Sequence, residues 1–519
     1  MAATSSPRAT EAAVAFLRDG ANAVDAAVAA AAVLAVVEPQ ATGIGGDCFM
    51  LIHLAGEGRT LGLNASGRAG SAASVAELKR RGHAFMPLRG PLAITVPGAL
   101  DGWCAALERA GSLPLDAVLA PAVRAAREGF EVTRVVAREW ELAVECGMLA
   151  APEIREAWTL DGHAPRAGER FRQPRLADTL DTIGAGGRAA FYEGEFAGRL
   201  VDFLAGQGGL LTREDLAAQR AEWVEPIRVG YRGFDVLELP PNGQGLAALI
   251  ALGILEGFDV SAHPIDSPAA LHLLIESLKL AYADRGAYIA DPDFADVPVA
   301  ELLSPAYLSA RAGLLRPDRA MALASPGVPP RGTDTVFLAT ADAAGNLVAL
   351  INSLYFPFGS GLVVPGTGVT LHNRGGGFTL DEAHPNALAP RKRPFHTLVP
   401  AMLARGGAPR AAFGVMGADI QAQAHVQVVS HLVDRGLDPQ AALDAPRFFF
   451  LAANRVALEE PVFTAAAEAL RGLGHDVAGP SELPFPLSFG AGQMIMRDEV
   501  DGDWMGASDR RKDGYAAGG

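Results

Sequence analysis

Cysteine is scarce in this 519-residue chain. The three present, Cys48, Cys104 and Cys146, are an odd, scattered set with no CxxC pair. That excludes a disulfide framework and a thiolate metal site, and leaves them as small buried hydrophobes. Long apolar runs are also lacking. The longest, AVDAAVAAAAVLAVV (23–37), has 15 residues and carries Asp25. A bilayer span needs roughly 20, so the run predicts a buried Ala-rich helix. The N-terminus, MAATSSPRATEAAVAFL, lacks a basic segment followed by an apolar one, so no secretory leader is expected and a cytoplasmic location is the default. Positive charge is in deficit, 44 Lys and Arg against 59 Asp and Glu, for a net charge of -15. Such a surface repels nucleic acid and anionic membranes, and neither partner is expected.

Several catalytic motifs are missing too. There is no GxSxG elbow and no HExxH. The eleven histidines are scattered, and His425 and His431 stand six apart, off a shared helix face. No metal is expected. GIGGD (43–47) follows a helix instead of opening one, and Cys48 stands where a dinucleotide fingerprint has its third glycine. No cofactor is expected.

What is there is a chain half hydrophobic, with 59 Gly and 35 Pro, which predicts a large core crossed by many turns. Residues 10–37 predict two helices broken at Asp19-Gly20. CFMLIHL (48–54) predicts a buried strand, and the middle, about 100–310, has a mostly helical pattern. Residues 316–334 lack periodicity and predict an exposed, mobile segment. TVFLATA (335–341), DAAGN (342–346) and LVALINSLY (347–355) predict a hairpin whose strands are apolar on both faces, as in a covered sheet. LVPAML (398–403) and AAFGVMG (411–417) predict further strands, and AQAHVQVVSHLVDRG (422–436) a helix. Strands at both ends with helices between predict a layered α/β or α+β fold. RGGGF (374–378) is a backbone that lets a ligand approach, or simply a turn.

Thr335 sits where the loose segment becomes a strand. A hydroxyl is a weak nucleophile unless a base stands beside it, and a free α-amine on the same residue, with a pKa of roughly 7.7–8.0, supplies one. Cleavage of the Asp334–Thr335 bond creates that amine. A threonine opening a strand is equally ordinary.

Many ordered motifs carry a resemblance. They include ATEAAVAFLRDGANAVDAAVAAAAVLAVVEPQATGIGGDCFML (9–51), VPGALDGW (96–103) and ELPPNGQGLAALIALGILEGFD (238–259). HLLIESLKLAYADRGAYIADPDF (272–294), RKRPFHTLVPAML (391–403) and FGVMGADIQAQAHVQVV (413–429) follow. Through these the chain resembles the gamma-glutamyltranspeptidase family of N-terminal nucleophile hydrolases, nearly end to end. The resemblance implies a four-layer αββα sandwich of α+β class and a precursor that cuts itself into two subunits, 1–334 and 335–519. It implies Thr335 as nucleophile, with the Asp334–Thr335 bond as the cleavage point. It places the oxyanion N–H groups at Gly417 and Ala418, where the family has Gly-Gly. Ser353 stands where a family Thr bonds the nucleophile's amine, and Tyr355 where most members have Asn.

The residues that hold a glutamyl head in the family differ here. Its arginine aligns with Ser66, with Arg68 two residues on. Its acid aligns with Gly377, its Glu/Gln with Arg374, and its Ser-Ser pair with His396-Thr397. An acid is lost and a base gained, which favours an anionic or neutral acyl group over a zwitterion. Arg68, Tyr355, Asn373, Arg374, His396 and Thr397 are the expected substrate contacts. The motif set SGRAG, DTVFL, NSLY, HNRGGGF, PFHTLVPA and MGADIQAQ is similar to a side branch that includes oxamate amidohydrolase-like proteins. The expected function is hydrolysis or transfer of a small amide. A typical glutathione hydrolase is the alternative, and a non-catalytic ligand-binding relic a more distant one. The expected partners are the amide and the chain's own two subunits; a homo-oligomer stays open.

Overall fold

A computed structural model describes residues 1–324, 336–483 and 488–519. Asp334 and Thr335 lie outside the described residues. In chain order the strands that matter begin with β1 (Ala2–Thr4), β2 (Asp47–Leu54) and β3 (Arg59–Ala65). β4 (Glu222–Val224), β5 (Ile227–Tyr231) and β6 (Phe234–Glu238) follow. Then come β7 (Val336–Ala341), β8 (Leu347–Ser353), β9 (Ala401–Arg405) and β10 (Ala408–Met416). The last are β11 (Ala491–Arg497), β12 (Trp504–Ser508) and β13 (Tyr515–Ala517). One sheet has the order β13-β1-β7-β8-β2-β3-β4, and the second the order β12-β11-β10-β9-β6-β5. Every pairing within both is antiparallel.

The residues of β7 explain the layering. Side chains alternate across a strand. Phe337, Ala339 and Ala341 join Phe49, Leu51, Met402, Ala412 and Ile495 in an apolar layer between the two sheets. Val336 and Leu338 point the other way, into a core shared with helix α2. The helices used below are α1 (Pro7–Arg18), α2 (Ala23–Val37), α3 (Gly245–Leu255), α4 (Pro268–Tyr288) and α5 (Ile420–Val433). α2 covers the first sheet; α3, α4 and α5 pack with Val236, Leu403, Phe413 and Met494 of the second. The result is the αββα sandwich that the resemblance implies. Asp25, the one charge in the apolar run, closes a capping box with Asn22 and accepts the Ser112 N–H at 2.9 Å.

The middle is mostly helical, as expected, with short strands inserted. β4, β5 and β6 interrupt it, and β5 and β6 build the edge of the second sheet. They are short, half-exposed and rich in charge, so their period of two is hard to hear in EWVEPIRVGYRGFDVLEL. The predicted pair of helices at 10–37 is α1 and α2, and the predicted hairpin is β7–β8.

Residues 316–319 are exposed as expected, but their backbone is fastened to a buried polar chain. His272 Nε2 donates to the Arg316 carbonyl at 2.7 Å, so its Nδ1 carries the lone pair that meets His475 Nε2 at 2.8 Å. The Lys279 ammonium then meets His475 Nδ1 at 3.3 Å, Asn454 Oδ1 at 2.8 Å and the Met321 carbonyl at 3.0 Å. Glu276 Oε1, 2.7 Å from Lys279 Nζ, is its counter-charge. Burial, then Lys279 and His272, push His475 down to about 3, so His475 stays neutral. His272, Glu276 and His475 hold three potential ligand atoms within 4.8 Å of one another. Here Lys279 is the cation that Glu276 neutralises. Glu276→Gln removes that neutraliser, and about 3–5 kcal/mol of stability is expected to go with it. Chemical denaturation measures it; a loss under about 1 kcal/mol would mean the neutral acceptors suffice.

Candidate active site

β8 ends at Ser353, which lies opposite Asp47, the first residue of β2. One step back, Asn352 pairs with Val336, the first residue of β7 and the one that follows Thr335 in the chain. The side chains at this end of the sheet are therefore the surroundings of the point where β7 begins. Gly46 makes room for them: a Cβ there would sit 2.3 Å from the Ser353 carbonyl oxygen.

Arg374 is fully buried at this end. Nη1 donates to Thr397 Oγ1 at 2.9 Å, Nη2 reaches Ser353 Oγ at 3.4 Å, and the guanidinium lies 4.0 Å over the Tyr355 ring. Ser353 Oγ also accepts the Tyr355 N–H at 2.7 Å. Burial lowers the Arg374 pKa to about 10, opposed by Tyr355 and Asp47, so it remains a cation at neutral pH. Tyr355 itself adopts φ 80, a left-handed conformation forced on a bulky residue.

Asp47 neutralises this arginine without gripping it. Its Oδ2 lies 4.0 Å from Arg374 Nε and accepts His396 Nε2–H at 3.1 Å, while Oδ1 accepts the N–H groups of Gly67 and Gly98 at 3.0 and 3.2 Å. Burial alone would raise this carboxyl, but His372, His396 and Arg374 outweigh it and hold it below its usual range. His396 Nδ1 accepts the Leu398 N–H at 3.2 Å, which commits Nε2 to donate. Burial and Arg374 push His396 down to about 3, against Asp47. It is a neutral donor and no base.

β10 ends at Met416, and the chain turns into α5 through Gly417 and Ala418 at φ 123 and 57. Both precede the N-terminus of α5, where backbone N–H groups without intrahelical partners collect and the helix dipole favours negative charge. Among the described residues, neither N–H meets an acceptor. Gln244 ties this step to the arginine: its Nε2 donates to the Ala418 carbonyl at 2.9 Å and the Thr397 carbonyl at 2.8 Å. A continuous chain Ala418–Gln244–Thr397–Arg374–Ser353 thus joins two sheets at one site. Its partners include Asp419, whose Oδ1 takes Arg285 Nη1 at 2.8 Å.

Of the expected substrate contacts, the fold gathers Tyr355, Arg374, His396 and Thr397 together with Ser353. Arg68 is drawn elsewhere, bridging Glu222, Asp291 and Asp293 at 3.0, 3.4 and 2.7 Å. Three carboxylates leave it no spare charge for a ligand. Asn373 is spent on backbone, donating to the Leu88 carbonyl at 2.8 Å and accepting the Phe356 N–H at 3.1 Å. RGGGF forms a short 3-10 turn that delivers Arg374.

Residues 9–519 match the sequence model described as Gamma-glutamyltranspeptidase. The chain belongs to the gamma-glutamyltranspeptidase family. Among family relatives, it is 40% identical to the glutathione hydrolase-like YwrD proenzyme of Bacillus subtilis, over 97% of this chain and 95% of the relative. It is 37% identical to the oxamate amidohydrolase proenzyme of Klebsiella pneumoniae, over 98% and 96%. The crystal structure of cephalosporin acylase from Bacillus halodurans superposes with a TM-score of 0.94 at 41% identity, covering 100% of this chain and 95% of that one. Members of the family are made as proenzymes that process themselves and act on amides. Among the described residues, no helix is long and apolar enough to cross a membrane.

Sequence reasoning missed Asp47, His372, Gln244, Arg285 and Asp419. All five stood inside quoted motifs, GIGGD, HNRGGGF, PPNGQG, YADRG and MGAD. The available signal was a charge or amide in an otherwise apolar or Gly-rich setting, which marks a buried polar group whose partner lies far away in sequence.

Proposed function

We propose that the protein cuts its own chain between Asp334 and Thr335, leaving subunits 1–334 and 335–519, and then hydrolyses small amides whose acid end meets Arg374. In maturation Thr335 Oγ attacks the Asp334 carbonyl, the peptide C–N bond breaks as an ester forms, and the freed amine takes a proton. Water cleaves the ester and leaves Asp334 as a carboxylate. In turnover the same oxygen attacks the substrate carbonyl, its proton passes through the Thr335 amine to the leaving amine, and water releases the acid. Gly417 and Ala418 N–H groups stabilise the oxyanion. Ser353 orients the amine.

The observation that carries the substrate reading is Arg374, a buried cation joined to Ser353 at the start of β7. The relatives named for oxamate and cephalosporin substrates support an acyl pocket unlike that of a strict glutathione hydrolase. A panel of amides on the purified protein tests it. Two bands on a denaturing gel and faster cleavage of oxamate-like amides than of gamma-glutamyl anilides are expected; the reverse preference restores the glutathione hydrolase reading. Arg374→Lys keeps the charge and loses the fork, so KM for acid-bearing amides should rise about tenfold with kcat changed less. Equal losses on acid-bearing and neutral amides would refute the assignment.

A further inference from the structure

Arg285 of α4 is 2% exposed, and only one of its three nitrogens is used. Nη1 donates to Gln244 Oε1 at 2.6 Å and Asp419 Oδ1 at 2.8 Å. The guanidinium lies 4.0 Å over the Tyr282 ring and 5.3 Å from the Phe395 ring, so the aromatic faces hold its plane. Nε and Nη2 are buried and, among the described residues, meet no acceptor. Those two N–H groups run parallel along one edge of the fork, the edge that takes both oxygens of a carboxylate. Buried charged donors without an acceptor from the protein are a standing cost, and a complete unpaired edge calls for a ligand.

Its location agrees. Asp419, on Nη1, directly follows the Gly417–Ala418 step, and Gln244, on the same nitrogen, donates to the Ala418 and Thr397 carbonyls. Tyr355, whose ring carries Arg374, also feels the charges of Asp419 and Arg285 at its phenol. Arg374 Nε likewise meets no hydrogen-bond acceptor among the described residues, with Asp47 Oδ2 4.0 Å away. Two arginines with open donors thus flank one tyrosine beside the oxyanion step.

We propose that the Nε–Nη2 edge of Arg285 is a carboxylate-binding subsite, distinct from Arg374, that selects acyl groups carrying a second carboxylate several atoms from the scissile carbonyl. This rests on the reading above, in which amides are cleaved at the start of β7. Short acid-bearing acyl groups meet Arg374; longer ones reach Arg285.

The test is a series of ω-carboxyl acyl anilides of increasing chain length, with uncharged acyl anilides of matched length, on the processed wild type, Arg285→Lys and Arg374→Lys. Arg285→Lys is expected to lower the acid-over-neutral ratio in kcat/KM about tenfold for the long acyl groups and to spare the short ones. Arg374→Lys should do the opposite. A uniform loss across charged and neutral substrates would overturn the subsite and make the open edge a seat for structural water. Calorimetric titration of succinate and longer dicarboxylates into the processed proteins separates the two readings. If binding weakens in Arg285→Lys while no amide is cleaved by any variant, the subsite stands and the proposed function fails. If cleavage is normal and dicarboxylates bind both proteins alike, the subsite fails alone.

Discussion

Thr335→Ala is expected to yield one band near 53.9 kDa and no measurable amide cleavage. Among the described residues at this end of the sheet, Ser353 and His396 are already committed. Ser353 Oγ is already held by the Tyr355 N–H, and His396 is a neutral donor to Asp47. Where a nucleophile and its base act as one unit, losing the nucleophile costs on the order of 10⁴–10⁶ in kcat. Thr335→Ser keeps the hydroxyl and should still mature, more slowly. The pH profile of the wild type gives a second check. A base that is the α-amine of Thr335 makes kcat/KM rise with pH as that amine deprotonates, roughly between 7 and 8 unless the site shifts it. A Thr335→Ala chain that still splits into two bands, or still turns over amides, would remove the foundation of the mechanism.

The second large effect is expected at the oxyanion step. Gly417 has φ 123, and a Cβ there would lie 2.6 Å from Ile420 Cγ2 and 3.1 Å from the Gly490 Cα. Both the backbone angle and the space oppose a side chain, so Gly417→Ala must move the step. An N–H that misses the oxyanion costs about 10²–10³ in kcat, or roughly 2.7–4 kcal/mol. KM should change much less, since the charge develops only in the transition state. Ala418→Gly is the control. It relaxes a residue at φ 57 and keeps the N–H, so activity should stay within a few fold. Near wild-type kcat in Gly417→Ala, with the fold intact, would place the oxyanion hole elsewhere.

How far the site was legible depended on the kind of residue. Gly417, Ala418, Ser353 and Arg374 were named from motif order, and the fold links Ala418, Ser353 and Arg374 through one hydrogen-bonded chain. Arg68 was read as a substrate contact from its nearness to SGRAG, but its side chain bridges three carboxylates whose positions no local pattern shows. His396 was read as a substrate contact, yet Asp47, 349 residues away, fixes it as a neutral donor. Arg285 and Lys279 were hidden by the helix pattern. α4 is buried on every side from Ala270 to Arg285, so its charges interrupt no polar face and advertise nothing.

The amino-acid sequence alone determined the family, the layered α+β class, the β7–β8 hairpin and the candidate nucleophile. These follow from apolar periodicity and from motif order, both of which are local or sequential properties. Only the tertiary structure decided which polar groups share a space. Asp47 meets Arg374 and His396, Gln244 spans Ala418 and Thr397, and Arg285 bonds Asp419 beside the Gly417–Ala418 step because antiparallel pairing and sheet stacking close gaps of hundreds of residues. Burial then sets the protonation of each group through partners that no linear pattern names.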